Sequence, residues 1–158
     1  MKKILFTLLT LSFISLVVFA DDSKEALDFF NNYVNAANTY SSTIGDMYSP
    51  SAKIIRQIVK PDGTTANATT DTATYIKQMK LGQASAKLKH YKNTYTDIKV
   101  TPVENGAYKV SSLRQPSGET YKLKTYMVVK KQPDGKWLII EEMMQTKVQL
   151  FLKYADKN

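Results

Sequence analysis

Residues 121–144 read YKLKTYMVVKKQPDGKWLIIEEMM, and this stretch decides the fold. Two runs rich in β-branched and aromatic residues flank a Gln-Pro-Asp-Gly turn at 132–135. Proline presets the backbone φ angle of a turn, and Asp-Gly accepts the left-handed conformations that close it. The stretch therefore predicts an antiparallel β-hairpin that ends a sheet.

Two more strands precede this hairpin. Asn105-Gly106 and the Pro-Ser-Gly run at 116–118 are turn signals. Alternating residues predict one strand over about 88–103 and the next up to Gln115. The sequence therefore predicts four consecutive antiparallel strands.

The first of these strands changes phase part-way along. Tyr95 belongs to one alternating set and Val100 to the other. A β-bulge inserts one extra residue into a strand and so reverses its phase. We therefore expect a bulge near Thr96 or Asp97.

An amphipathic helix is predicted over about residues 22–40. Asp22 and Glu25 have the spacing of a capping box, which satisfies free N–H groups at the start of a helix. Phe30 and Val34 belong to a wide apolar stripe at helical spacing. A stripe of this width indicates a helix that lies across the concave face of a sheet.

One strand and a second helix follow. Residues 52–60 carry apolar groups in both phases and predict a buried strand that stops at a Pro-Asp-Gly turn. The Thr-rich residues 64–74 predict a mobile loop. The short helix after it is expected to be capped by Asp71 or Thr72 and ended by Gly82.

The first twenty residues have the features of an export signal. Two lysines precede an apolar run over 4–19, and small or aliphatic residues fit cleavage after Ala20. A retained membrane anchor is the alternative, although the run is shorter than the ~20 residues that a spanning helix prefers. We predict a signal peptide at 1–20 and a single domain at 21–158, located in the periplasm or secreted.

Composition narrows the possible partners. The chain has no cysteine, so disulfide bonds and a lipidated cysteine are excluded. The formal net charge is +8, but the lysines are spread along the chain instead of forming a stripe with aromatic residues. No nucleic-acid partner is therefore predicted, and membrane contact would be weak and electrostatic. No metal-ligand spacing or cofactor motif is present, so we predict neither a metal nor a cofactor.

Helices at the front and strands at the back predict an α+β fold. The chain resembles the nuclear transport factor 2-like superfamily, the cystatin-like α+β cone. The resemblance rests on the opening helix, on residues 46–50 before the first strand, and on Pro-Asp-Gly-Lys-Trp-Leu-Ile at 133–139. It implies a curved antiparallel sheet of four to six strands, with the N-terminal helices on its concave face and an internal pocket.

The resemblance does not imply one function. Members of this superfamily include ketosteroid isomerases, polyketide cyclases, dehydratases, phospholipid shuttles, secretion-system subunits and non-catalytic dimerising domains. We predict an exported, non-enzymatic binding or assembly domain that holds a small apolar or lipid-like ligand, or that forms a homodimer through its sheet. The alternatives are a small cyclase-, isomerase- or dehydratase-type enzyme, and a periplasmic lipid carrier or secretion-system subunit.

The candidate catalytic residues are Asp46, His90 and Glu142. His90 is the only histidine, and a dehydratase-like dyad would need Asp46 as its partner; the alternative is a solvated histidine near the start of a strand. Asp62 lies where the isomerases carry a carboxylate base, but its turn already explains it. Strict alternation sends Glu141 and Glu142 to opposite faces of the last strand, so one should point inward. The same alternation puts Glu142 and Ile139 on opposite faces of the strand.

Tyrosines and one arginine are the candidate ligand-binding residues. Tyrosine has an apolar body and a polar tip, which suits a pocket for an amphiphile and equally suits a half-buried sheet surface. An inward carboxylate needs a partner, and Arg114 is the candidate; the alternative is that Glu141 and Glu142 both lie near the solvent-exposed end of the strand and pair with lysines. The ligand-binding candidates are Tyr33, Tyr48, Tyr75, Arg114 and Glu142.

Overall fold

The structure, a computed structural model, describes the backbone of residues 4–157 and the side chains of residues 21–157. The predicted signal peptide falls on residues outside the described side chains. Where side chains are described, no helix has the length and apolarity needed to cross a membrane. The helices and strands are α1 (Ile4–Asn38), β1 (Tyr48–Val59), β2 (Thr65–Thr70), α2 (Thr72–Leu88), β3 (Thr94–Val103), β4 (Ala107–Gln115), β5 (Leu123–Lys131) and β6 (Trp137–Thr146).

The six strands form one sheet in the order β2-β1-β6-β5-β4-β3. The α+β fold predicted from the sequence is confirmed, with one difference in the sheet. Four neighbouring pairs are antiparallel, but β1 and β6 are parallel. Two parallel strands need a long crossover between them, and here the rest of the chain supplies it. The first and last strands along the chain therefore lie side by side, as the second and third strands of the sheet.

The helix α1 packs on the sheet through one buried face. Ala26, Phe30 and Tyr33 are buried at helical spacing, and the Phe30 ring meets the Tyr95 ring edge-on at 5.5 Å between centroids. The helix contacts β3 and β4, whereas α2 contacts β1. The two helices thus lie over different parts of the sheet.

The predicted capping box does not start a helix, because α1 is continuous through Asp22. Glu25 makes long-range contacts instead. Its Oε2 atom accepts a hydrogen bond from Trp137 Nε1 at 2.9 Å and pairs with Lys131 Nζ at 2.8 Å. These contacts join α1 to the last hairpin and hold the pKa of Glu25 below its usual value.

The Thr-rich segment 64–74 is ordered, so the prediction of a mobile loop is wrong. Its first part forms β2, which pairs with β1. Gly63 closes the turn between them at φ +83°, the value that Gly135 has in the last hairpin. Both Pro-Asp-Gly turns therefore close an antiparallel hairpin with a glycine in the left-handed conformation.

The second helix is longer than predicted. Asp71 caps it by accepting a hydrogen bond from the Thr74 N–H at 2.8 Å, as expected. Gly82 does not end it, because strong helix formers follow and carry α2 to Leu88. β3 accordingly begins at Thr94, six residues later than predicted.

The predicted bulge in β3 is confirmed. Thr96 pairs with Leu113 and Lys99 pairs with Ser111, so three steps along β3 match two along β4. Asp97 lies within this bulge at φ +55°. Aspartate tolerates this left-handed conformation better than most residues.

Candidate functional site

A second bulge, in β6, turns Glu142 toward the core. Val129 of β5 pairs with Ile139. Met127, two residues earlier on the same face of β5, pairs with Glu142, three residues later in β6. Between these pairs β6 holds one extra residue, Ile140, so Ile139 and Glu142 face the same side. Strict alternation is wrong here, but one glutamate does point inward, because Glu142 is 1% exposed. The alternative in which both glutamates lie at the solvent-exposed end of the strand is therefore wrong.

Four donors surround the Glu142 carboxylate. Its Oε1 atom accepts from Arg56 Nη1 at 2.8 Å and from Tyr75 OH at 3.4 Å. Its Oε2 atom accepts from Tyr33 OH at 3.3 Å and from Tyr48 OH. We call these five residues the Glu142 cluster. It contains three of the predicted ligand-binding tyrosines, but its cation is Arg56 and not the predicted Arg114.

The tyrosines of the cluster are held in the neutral form. Burial, and then the negative charge of Glu142, raise the pKa of Tyr33 and of Tyr48 well above the usual 10.0. Burial also raises the pKa of Tyr75, against the opposing effect of Arg56. At neutral pH all three hydroxyl groups therefore act as hydrogen-bond donors to the carboxylate.

A cavity of about 320 Å³ lies between α1, α2 and the sheet, next to the cluster. Tyr33 and Tyr75 belong both to its wall and to the Glu142 cluster. The wall is largely aromatic and aliphatic. Its remaining residues are Ala36, Ala37, Tyr40, Ser41, Ile44, Met79, Gly82, Gln83, Ala86, Tyr91, Asn93, Tyr95, Arg114 and Met144.

Arg114 lines this cavity and is 6% exposed. Its Nη1 atom donates to Asn93 Oδ1 and its Nη2 atom donates to the Gln145 carbonyl oxygen, both at 2.9 Å. It makes no ion pair with any described residue. The two predicted partners, Arg114 and Glu142, are therefore separate groups on the inner face of the sheet.

A second cavity, of about 390 Å³, lies beyond the cluster. The Arg56 guanidinium stacks on the Tyr75 ring at 4.6 Å from its centroid, and both residues line this cavity. Phe151 and Tyr154 from the C-terminal 3-10 helix close its far side. Tyr75 is thus shared between the walls of the two cavities.

The candidate dyad of Asp46 and His90 does not form. Asp46 lies in a short 3-10 helix before β1, and His90 follows the end of α2 at φ +50°. Both side chains are exposed and neither lines the cavity beside Glu142. Asp62 stays within its turn, where it accepts hydrogen bonds from the Thr64 N–H at 2.9 Å and Oγ1 at 2.7 Å. Across residues 21–157, no three acidic or histidine side chains group as metal ligands do.

The sequence interpretation did not name Arg56 or Asn93, and it left Tyr40 and Tyr95 out of the ligand-binding candidates. The signal for Arg56 was present, because alternation in β1 puts it on the same face as Ile54 and Ile58, where a charge needs a buried partner. The other three come together only through the ends of helices and the start of β3. Local sequence patterns do not reveal such contacts.

No known protein-family profile matches this chain, and no curated protein matches it in sequence. Solved structures do resemble it. A domain of unknown function with a cystatin-like fold from Nostoc punctiforme is 17% identical, with 84% of each chain covered and a TM-score of 0.57. An NTF-2-like protein of unknown function from Shewanella oneidensis is 16% identical over 80% of this chain and 98% of that chain, with a TM-score of 0.57.

Nuclear transport factor 2 from Cryptosporidium parvum is also similar. It is 14% identical over 76% of this chain and 90% of that chain, with a TM-score of 0.56. These likenesses show that the chain has the nuclear transport factor 2-like fold. At such identities the shared property is the fold.

Proposed function

We propose that this chain is a binding domain whose cavity holds a small amphipathic molecule. The observation that carries the proposal is the cavity of about 320 Å³ between the helices and the sheet. Ligand sites are concave, mostly apolar and about 300–1,000 Å³ in volume, with few polar groups. The cavity meets each of these criteria.

The wall suits a molecule with an apolar body and a polar end. Five tyrosines, two methionines and several alanines supply apolar surface, while Asn93, Gln83 and Arg114 supply polar atoms. Tyrosine rings bury apolar area and keep a hydroxyl group available for hydrogen bonding. Methionine adapts its shape to an irregular ligand.

A second candidate function is acid–base catalysis of the isomerase or dehydratase type. Tyr33 and Tyr75 line the cavity and also hydrogen-bond Glu142, so a carboxylate lies behind the cavity wall. However, both of its oxygen atoms already accept hydrogen bonds, and Arg56 supplies the counter-charge. A carboxylate has about four acceptor sites, and the four donors of the Glu142 cluster occupy them, whereas a base must come within hydrogen-bond reach of a substrate proton. The arrangement therefore favours a structural role for Glu142.

Native mass spectrometry of the protein expressed for export tests the binding proposal. We expect a chain that lacks residues 1–20 and carries a small molecule that collisional activation removes. The mass of that molecule distinguishes a lipid from a smaller amphiphile. The same spectrum reports the homodimer predicted from the sequence. An empty chain, from cells grown in several media, would count against the binding domain.

A further inference from the structure

Arg114 is the only charged side chain among the described residues that line the cavity beside Glu142. The negative charge of Glu142 is already compensated by Arg56, whose Nη1 atom lies 2.8 Å from Glu142 Oε1. The cavity therefore presents one positive charge and no negative charge to a molecule that enters it.

The hydrogen bonds of Arg114 are incomplete. The guanidinium group has five N–H donors in a planar fork, and neutral acceptors on Asn93 and Gln145 take two of them. Its Nε atom is buried and has no hydrogen-bond partner within residues 21–157. A buried charge is costly unless it is paired with an opposite charge.

A second buried donor without a partner belongs to the same cavity wall. The Tyr40 hydroxyl group is buried and finds no partner among the described side chains. Tyr40 follows the end of α1 at φ +58°, a conformation that a bulky residue rarely adopts. The wall thus holds two donors, one of them charged, that the protein itself leaves unpaired.

We propose that Arg114 makes this cavity selective for small amphipathic anions, a carboxylate above all. The proposal rests on the proposed binding function and specifies its ligand class. The planar fork of arginine matches a carboxylate, and such charge-assisted hydrogen bonds are about twice as strong as neutral ones. The apolar part of the ligand lies against the tyrosine and methionine side chains.

Calorimetric titration of the protein with octanoate and with octan-1-ol tests this selectivity. The two probes share an apolar chain and differ in the charged end. We expect octanoate to bind roughly 10- to 100-fold more tightly, the range expected for a hydrogen bond to a charged group. Equal affinity for the two probes overturns the anion selectivity and leaves the binding function intact. Absence of binding by either probe overturns both.

The variant Arg114→Met tests whether this side chain causes the preference for octanoate over octan-1-ol. We expect this variant to lose the preference, so that its affinities for octanoate and octan-1-ol agree within about threefold. Arg114→Lys keeps the charge without the fork and is expected to give an intermediate preference. An unchanged octanoate preference in a folded Arg114→Met variant overturns the assignment. The wild-type ratio of affinities remains a test if that variant does not fold.

Discussion

Replacing Glu142 with glutamine is expected to lower the free energy of unfolding by about 3–5 kcal/mol. The change removes the negative charge and leaves Arg56, a half-buried side chain, against Tyr75 without its partner. Breaking a buried ion pair on one side is strongly destabilising, because the remaining charge is uncompensated. Urea denaturation followed by circular dichroism measures the loss.

The adjacent residue offers a matched control. Glu141 is half-buried and accepts one described side-chain hydrogen bond, from Tyr126 OH at 2.6 Å. Glu141→Gln is expected to cost about 0.5–1.5 kcal/mol, the net value of one hydrogen bond. Equal losses at the two positions would show that Glu142 does not anchor the cluster.

A double-mutant cycle measures the coupling directly. Arg56→Met should cost about 0.5–3 kcal/mol less in the Glu142→Gln background than in the wild type, because the ion pair is already broken there. Additive losses would mean that the two side chains act independently.

Phe30→Ala is expected to lower the free energy of unfolding by about 3–5 kcal/mol, the usual cost of deleting a buried phenylalanine ring. Phe30 is 2% exposed and joins α1 to the sheet through its edge-on contact with Tyr95. Its loss leaves a hole between α1 and the strands. The same urea titration measures the effect.

Phe29 is the control for this helix. It has the same side chain and the same helical neighbours but is only partly buried. Phe29→Ala is expected to cost about 1–2 kcal/mol, from the smaller apolar area removed from water. A loss at Phe29 as large as that at Phe30 would contradict the placement of α1.

Much of the fold follows from local sequence pattern. The two Pro-Asp-Gly turns, the turn at Gly106 and the phase change near Asp97 each depend on a few neighbouring residues. β2 escaped prediction because its residues are small and polar, as suits an edge strand whose one strand partner is β1. The turn before β2 has the same Pro-Asp-Gly residues as the turn of the last hairpin, and this match was the available signal for a first hairpin.

The site depends on contacts that local pattern does not reveal. The bulge at Ile140 decides which face of β6 carries Glu142. One extra apolar residue inside an apolar strand does not change the residue composition of the strand, so the sequence gives no sign of the bulge. Arg56 meets Glu142 because β1 and β6 are parallel neighbours in the sheet. This pairing joins the two ends of the domain, so no sequence window contains both residues. Alternation therefore predicted one inward glutamate, but the candidate partner Arg114 was wrong.

The central claim is that the cavity between the helices and the sheet binds a small amphipathic molecule. Methionine methyl groups labelled with carbon-13 report on it directly, because Met79 and Met144 line the cavity whereas Met143 lies in a groove with Lys109 and Tyr126. We expect added octanoate to shift the methyl resonances of Met79 and Met144 in a saturable way and to leave that of Met143 in place. No saturable shift at Met79 and Met144, or shifts confined to Met143, would contradict the claim.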